Sequence, residues 1–168
     1  MDRNIDSIYL NPCCIHKHLG EYLERRQPTS FFANSDWGLS RFLELLSLYV
    51  PGGEMTLCLP VVSDEIKLKL QSLLNSEIIG KLNVIHSGNT FLFSSNADRI
   101  TVASYPIGFR TLALSNDSRT VVVSGSFNQQ RMEVGMQLQH FILCTDKQTY
   151  QDTMSALIPI LRIHAIKV

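Results

Sequence analysis

Residues 121–128, Val-Val-Val-Ser-Gly-Ser-Phe-Asn, drive a β-branched run straight into a turn made of hydrogen-bond donors. The Ser126 hydroxyl, the Asn128 amide and the backbone N–H groups of such a turn are the groups that hold an anion. Upstream, Gly108-Phe109-Arg110 adds a guanidinium, and downstream Glu133 adds a carboxylate. Taken alone, Gly-Ser-x-Asn is also an ordinary way to end a strand. Gly and Ser relieve the backbone there, and Asn tolerates left-handed conformations.

Other reactive side chains are scattered. His86 closes an apolar run and precedes Ser87-Gly88-Asn89, a loop position from which an imidazole can reach a site. His140 and His164 fall within apolar stretches and read as structural or surface histidines. Cys13, Cys14, His16 and His18 cluster near the start. On a helix Cys14 and His18 share a face and can chelate a metal, but a closed site needs two further ligands, and a chance grouping at a helix start explains the cluster as well. Trp37 with Phe31 and Phe32 reads as core or interface before it reads as a binding platform. Nothing matches a P-loop, a dinucleotide fingerprint or a Ser-His-Asp arrangement, so neither a cofactor nor a metal is expected.

The chain has 168 residues, 45% of them apolar and 18% charged, enough for one domain with a real core over 1–168. Lys+Arg and Asp+Glu both number 15, so any attraction to nucleic acid must be local. No apolar run approaches the roughly 20 residues of a membrane span, and no signal core follows Met1. The four cysteines show no CxxC spacing, which suits a reducing compartment, with Cys58 and Cys144 as core residues. A cytoplasmic location is expected.

These side chains must be carried by an alternation of strands and helices. Residues 1–28 read as an N-terminal helical extension, with a helix over 12–26 whose face holds Ile15, Leu19, Tyr22 and Leu23. A short strand follows at 29–33. From Trp37, the positions Leu39, Phe42, Leu43, Leu46, Tyr49 and Val50 recur at helical steps until Pro51-Gly52-Gly53. Residues 55–59 form a strand apolar enough to be covered on both faces. Ser63 or Asp64 caps a helix with Ile66, Leu70, Leu73 and Leu74 inward, and 82–85 is the next strand, completing a βαβ unit. Further strands are predicted at 90–93 and 100–104, a hairpin at 111–114 and 120–124, and a strand at 136–144. Thr145 and Gln148 fit a capping box for a last helix bearing Tyr150, Met154, Leu157, Ile158 and Leu161. Pro159 should kink or end that helix, and 163–168 should form a final strand.

The hairpin and its turn resemble the HxK…GSxN signature of the phospholipase D superfamily, over about residues 30–168. Gly125, Ser126 and Asn128 stand at the GSxN positions, with Glu133 as the polar residue that follows. The histidine position, however, holds Gly108 and the lysine position Arg110, and the hairpin turn is longer than the family's, which puts its aspartate near Ser115 or Asp117. The resemblance implies an α/β fold with a phospholipase D/nuclease-like mixed β-sheet flanked by helices. It also implies a homodimer of the single-motif nuclease-like kind, with a phosphodiester or DNA as ligand. Without the nucleophilic histidine, the expectation is a pseudoenzyme in which Arg110, Ser126, Asn128 and Glu133 hold phosphate without displacing at phosphorus. The alternatives are a divergent phosphodiesterase using His86 and an assembly subunit with a vestigial site.

Overall fold

A computed structural model describes residues 6–10, 29–34, 38–125 and 138–167. The expectations for Cys14, His18, Ser126, Asn128 and Glu133, the platform built on Trp37 and the helix over 12–26 lie outside those residues. Among the described residues the strands are β1 (Asp6–Leu10), β2 (Thr29–Asn34), β3 (Gly53–Cys58), β4 (Ile79–His86), β5 (Ile100–Ser104), β6 (Thr111–Ser115), β7 (Thr120–Gly125) and β8 (Leu138–Cys144). The helices are α1 (Gly38–Tyr49), α2 (Asp64–Asn75) and α3 (Lys147–Ile163). The strands form one mixed sheet in the order β1-β2-β8-β7-β6-β3-β4-β5. The pairs β1/β2, β3/β4 and β4/β5 are parallel, and the rest are antiparallel.

The apolar runs in the strands exist because both faces are covered. Met55, Leu57, Val84, Leu112, Leu114, Val121 and Val123 point to the side of α1 and α2. There Phe42, Leu43 and Leu46 of α1 and Ile66, Leu70 and Leu74 of α2 are fully buried, each such side chain contributing about 2 kcal/mol. Alternate residues Cys58, Ile85, Ala103, Ala113 and Val122 face α3, which presents Met154, Leu157 and Leu161. Ser63 caps α2, its hydroxyl accepting from the Ile66 N–H. The hairpin loop is fastened by Asn116, whose Oδ1 accepts from the Ser118 and Arg119 N–H groups at 2.8 Å. Arg119 in turn donates to the Tyr49 carbonyl and lies over the Tyr49 ring, which anchors the loop to the end of α1.

Several expectations are corrected. Residues 90–93 are not a strand: β5 already occupies the edge beside β4, and Phe93 tucks into the core while Phe91 packs edge-on against it. Asp146, not Thr145, caps α3, its carboxylate accepting from the Thr149 N–H. Pro159 does not end α3, which continues to Ile163. Pro159 and Ser155 are both solvent-exposed, so the carbonyl that loses its helical partner can turn to water. The tail makes a single antiparallel bridge, Ala103 to Ala165, rather than a strand. Within the segment read as a helical extension, Asp6–Leu10 instead forms β1, parallel to β2.

Candidate functional site

Parallel pairing of β3, β4 and β5 brings their last residues, Cys58, His86 and Ser104, to one edge of the sheet. The antiparallel register of β6 then places Thr111 opposite Cys58, and that of β7 places Ser124 opposite Thr111. The two hydroxyls of Thr111 and Ser124 meet at 3.1 Å. Gly125, the first residue of Gly-Ser-x-Asn, therefore leaves the sheet on this carboxyl edge beside Arg110, whose carbonyl accepts from its N–H at 3.4 Å. Ligands of open α/β sheets lie outside this edge because the connecting loops gather there.

Gly125 is a glycine for a steric reason. A Cβ at this position would run into the carbonyl oxygen of His140 and come within 2.9 Å of the Phe141 Cα on β8. Gly108 is the opposite case: a Cβ there meets nothing within 4 Å, and the backbone is not left-handed. Arg110 is exposed, and its guanidinium has no partner among the described residues. The loop carrying both is anchored by buried Ile107, whose N–H donates to the Ser87 hydroxyl at 3.4 Å. Phe109 and Tyr105 stand exposed on the same loop.

Neither His86 nor Cys58 offers a free nucleophile on this edge. The His86 side chain is buried, its Nδ1 accepting from the Gly88 N–H and its Nε2 facing the Thr90 carbonyl, both at 3.1 Å. That pair of contacts selects the neutral Nε2–H tautomer. Desolvation holds its pKa below the ordinary histidine value, against the smaller opposing pull of the Thr90 carbonyl. The Cys58 thiol is pushed up to about 12 by burial and stays protonated. Among the described residues no group of three or more His, Cys, Asp or Glu is arranged to hold a metal ion.

At the opposite, amino edge of the same sheet face lies a polar group that the apolar look of the strands concealed. The Asn83 amide donates to Glu54 Oε1 at 2.7 Å and to the Thr56 hydroxyl at 3.1 Å, and Lys81 Nζ is 3.7 Å from Glu54. The signal was present as alternation: Glu54 and Thr56 on β3, Lys81 and Asn83 on β4, each two residues apart on the α3 face.

No protein-family model and no curated protein matches the sequence. The fold, however, is similar to that of a phospholipase D family member, Nuc from Salmonella typhimurium, with a TM-score of 0.59 at 14% identity over 84% of this chain and 100% of that one. It is also similar to polyphosphate kinase from Porphyromonas gingivalis (TM-score 0.56, 14% identity, 86% of this chain) and to phosphatidylserine synthase from Haemophilus influenzae (0.54, 15%, 82%). The chain spans 28% of the kinase and 39% of the synthase. The sheet with its flanking helices thus has the phospholipase D/nuclease fold, as expected. No helix among the described residues is long and apolar enough to cross a membrane.

Proposed function

We propose that the carboxyl edge is a degenerate phospholipase D-type site that holds a phosphodiester, DNA included, without cleaving it, in a homodimer that sets two such edges together. The observation that carries this reading is the open space at Gly108 next to the exposed Arg110. At the position where the superfamily has its nucleophile, there is room for a side chain and none is supplied. Phosphoryl transfer needs an activated nucleophile and a proton donor. His86 has both ring nitrogens committed to the backbone, and the Cys58 thiol is held protonated. Arg110, Ser126 and Asn128 are donors suited to phosphate oxygens, and Glu133 is grouped with them on the resemblance alone. A net charge of zero keeps such binding local rather than spread over the surface.

A fluorescent single-stranded oligonucleotide and bis(4-nitrophenyl) phosphate test the reading together. Saturable, salt-sensitive binding without nitrophenol release is expected, with Arg110→Ala weakening it about tenfold or more. Sedimentation should give twice the mass of one chain. Hydrolysis abolished by His86→Gln would instead make the protein a divergent phosphodiesterase. Absence of binding in both the native chain and Arg110→Ala would leave an assembly subunit with a vestigial site.

A further inference from the structure

The amino edge of the sheet carries a second cleft, independent of the carboxyl edge. On β3, Glu54 at the amino edge and Cys58 at the carboxyl edge are four residues apart, or about 13 Å at the rise of a strand. The cleft encloses about 410 Å³ between the sheet and α3, with Glu54, Lys81 and Asn83 on the sheet side and Met154, Leu161 and Arg162 on the helix side. A space of that size takes a small organic molecule.

Its polar groups are not all used by the protein. Asn83 is only 3% exposed. Glu54 can only accept a hydrogen bond, so the amide nitrogen of Asn83 must face it, and that nitrogen also serves Thr56. The Oδ1 of Asn83 is left with no donor among the described residues, and a buried acceptor in that state calls for a partner. The charges show the same imbalance. Lys81 answers Glu54, whereas the exposed guanidinium of Arg162, on the rim, has no acceptor among the described residues. The cleft therefore carries one uncompensated positive charge, which favours a monoanion, and a planar guanidinium matches a carboxylate in particular. Met154, Ile158 and Leu161 also line the cleft and give it an apolar wall. Tyr150 completes the lining as a neutral phenol: burial first, then the Glu54 charge, raise its pKa above the ordinary tyrosine value.

We propose that this cleft binds a small carboxylic acid bearing an N–H donor and an apolar side chain, an N-acylated amino acid in chemical terms. The carboxylate pairs with Arg162, the N–H donates to Asn83 Oδ1, and the side chain lies on Met154 and Leu161.

The test is a titration of the 15N-labelled full chain with N-acetyl-leucine, alongside its methyl ester and 4-methylpentanoate. The ester lacks the charge, and 4-methylpentanoate lacks the N–H. N-acetyl-leucine should give saturable shifts in the Asn83 side-chain amide and the Thr101 backbone amide. Each control, and Arg162→Gln with the acid, should bind about tenfold or more weakly. Arg110→Ala should leave this titration unchanged, which separates it from any effect at the carboxyl edge. Absence of saturable shifts overturns the proposal, as does an ester or an Arg162→Gln variant that binds as well as the acid in the native chain. An unchanged melting temperature for Arg162→Gln shows that its fold is intact, and the ester comparison needs no variant at all.

Discussion

Gly108 and Gly125 flank the same hairpin yet answer to different constraints. At Gly125, β8 passes so close that a single methyl group would meet the backbone of His140 and Phe141. At Gly108 the corresponding space is empty. Gly125→Ala should therefore cost about 1–3 kcal/mol through overpacking. Gly108→Ala should be neutral or stabilising by under about 1 kcal/mol, because alanine narrows the unfolded ensemble without strain in the fold. Urea denaturation of both variants measures this directly, and equal losses would mean that Gly108 is not the open position described. The glycine in Gly-Ser-x-Asn was legible as a turn residue. That it is also enforced by β8 was not, because the contact spans 15 or more residues along the chain (125 against 140 and 141).

At the level of elements, local periodicity carried most of the reading. The face Ile66, Leu70, Leu73 and Leu74 is the buried face of α2, and the βαβ unit has its parallel strands. What misled was apolar content without a partner. Phe91, Leu92 and Phe93 resemble a strand, but the edge of β4 was taken by β5, so the segment folds down as a loop. The amino-edge polar group was hidden for a related reason. Glu54 and Lys81 sit at the starts of strands whose middles are apolar, and only pairing across β3 and β4 brings them together. At the entry to α3, Thr145 and Asp146 both fit as caps, and the choice turned on Thr149, whose N–H and hydroxyl both donate to the Asp146 carboxylate. Asp146 accepts from the Thr149 N–H at 3.1 Å. Asp146→Ala should lower stability by about 1 kcal/mol, whereas Asp146→Asn, an equally good cap, should largely restore it. Thermal melts of the two variants check this, and an Asn variant as weak as the Ala variant would assign the stabilisation to charge instead of capping.

Across the molecule, a single two-faced sheet separates the carboxyl edge, where Arg110 stands exposed, from an edge with a polar cleft, and among the described residues its core buries His86 and Cys58 in their neutral forms. The burial of His86 and Cys58 shapes the pH window of the fold, with the raised Tyr150 phenol adding to its alkaline side above pH 10. The pKa of His86 lies below the ordinary histidine value of 6.5, so below that pH the unfolded chain binds the proton more readily than the folded one. Stability then falls as pH drops. Cys58 works at the other end: its pKa moves from 9.0 to about 12, so above pH 9 the unfolded chain releases a proton that the folded chain keeps. Stability then falls as pH rises, by up to about 1.4 kcal/mol per pH unit within that interval. Asp64, whose carboxyl is held below the usual range by Lys67, acts only in stronger acid and does not blur the upper part of the acid limb. Urea denaturation at pH 5.5, 7.5 and 10 should give its highest midpoint at pH 7.5. His86→Gln should flatten only the acid limb and Cys58→Ala only the alkaline one, even though each variant also loses some stability at neutral pH. An acid limb unchanged in His86→Gln would show that His86 is protonated as readily in the folded chain as in the unfolded one. The imidazole would then be free of its two backbone contacts and available at the carboxyl edge, which would return the divergent-phosphodiesterase reading to the front.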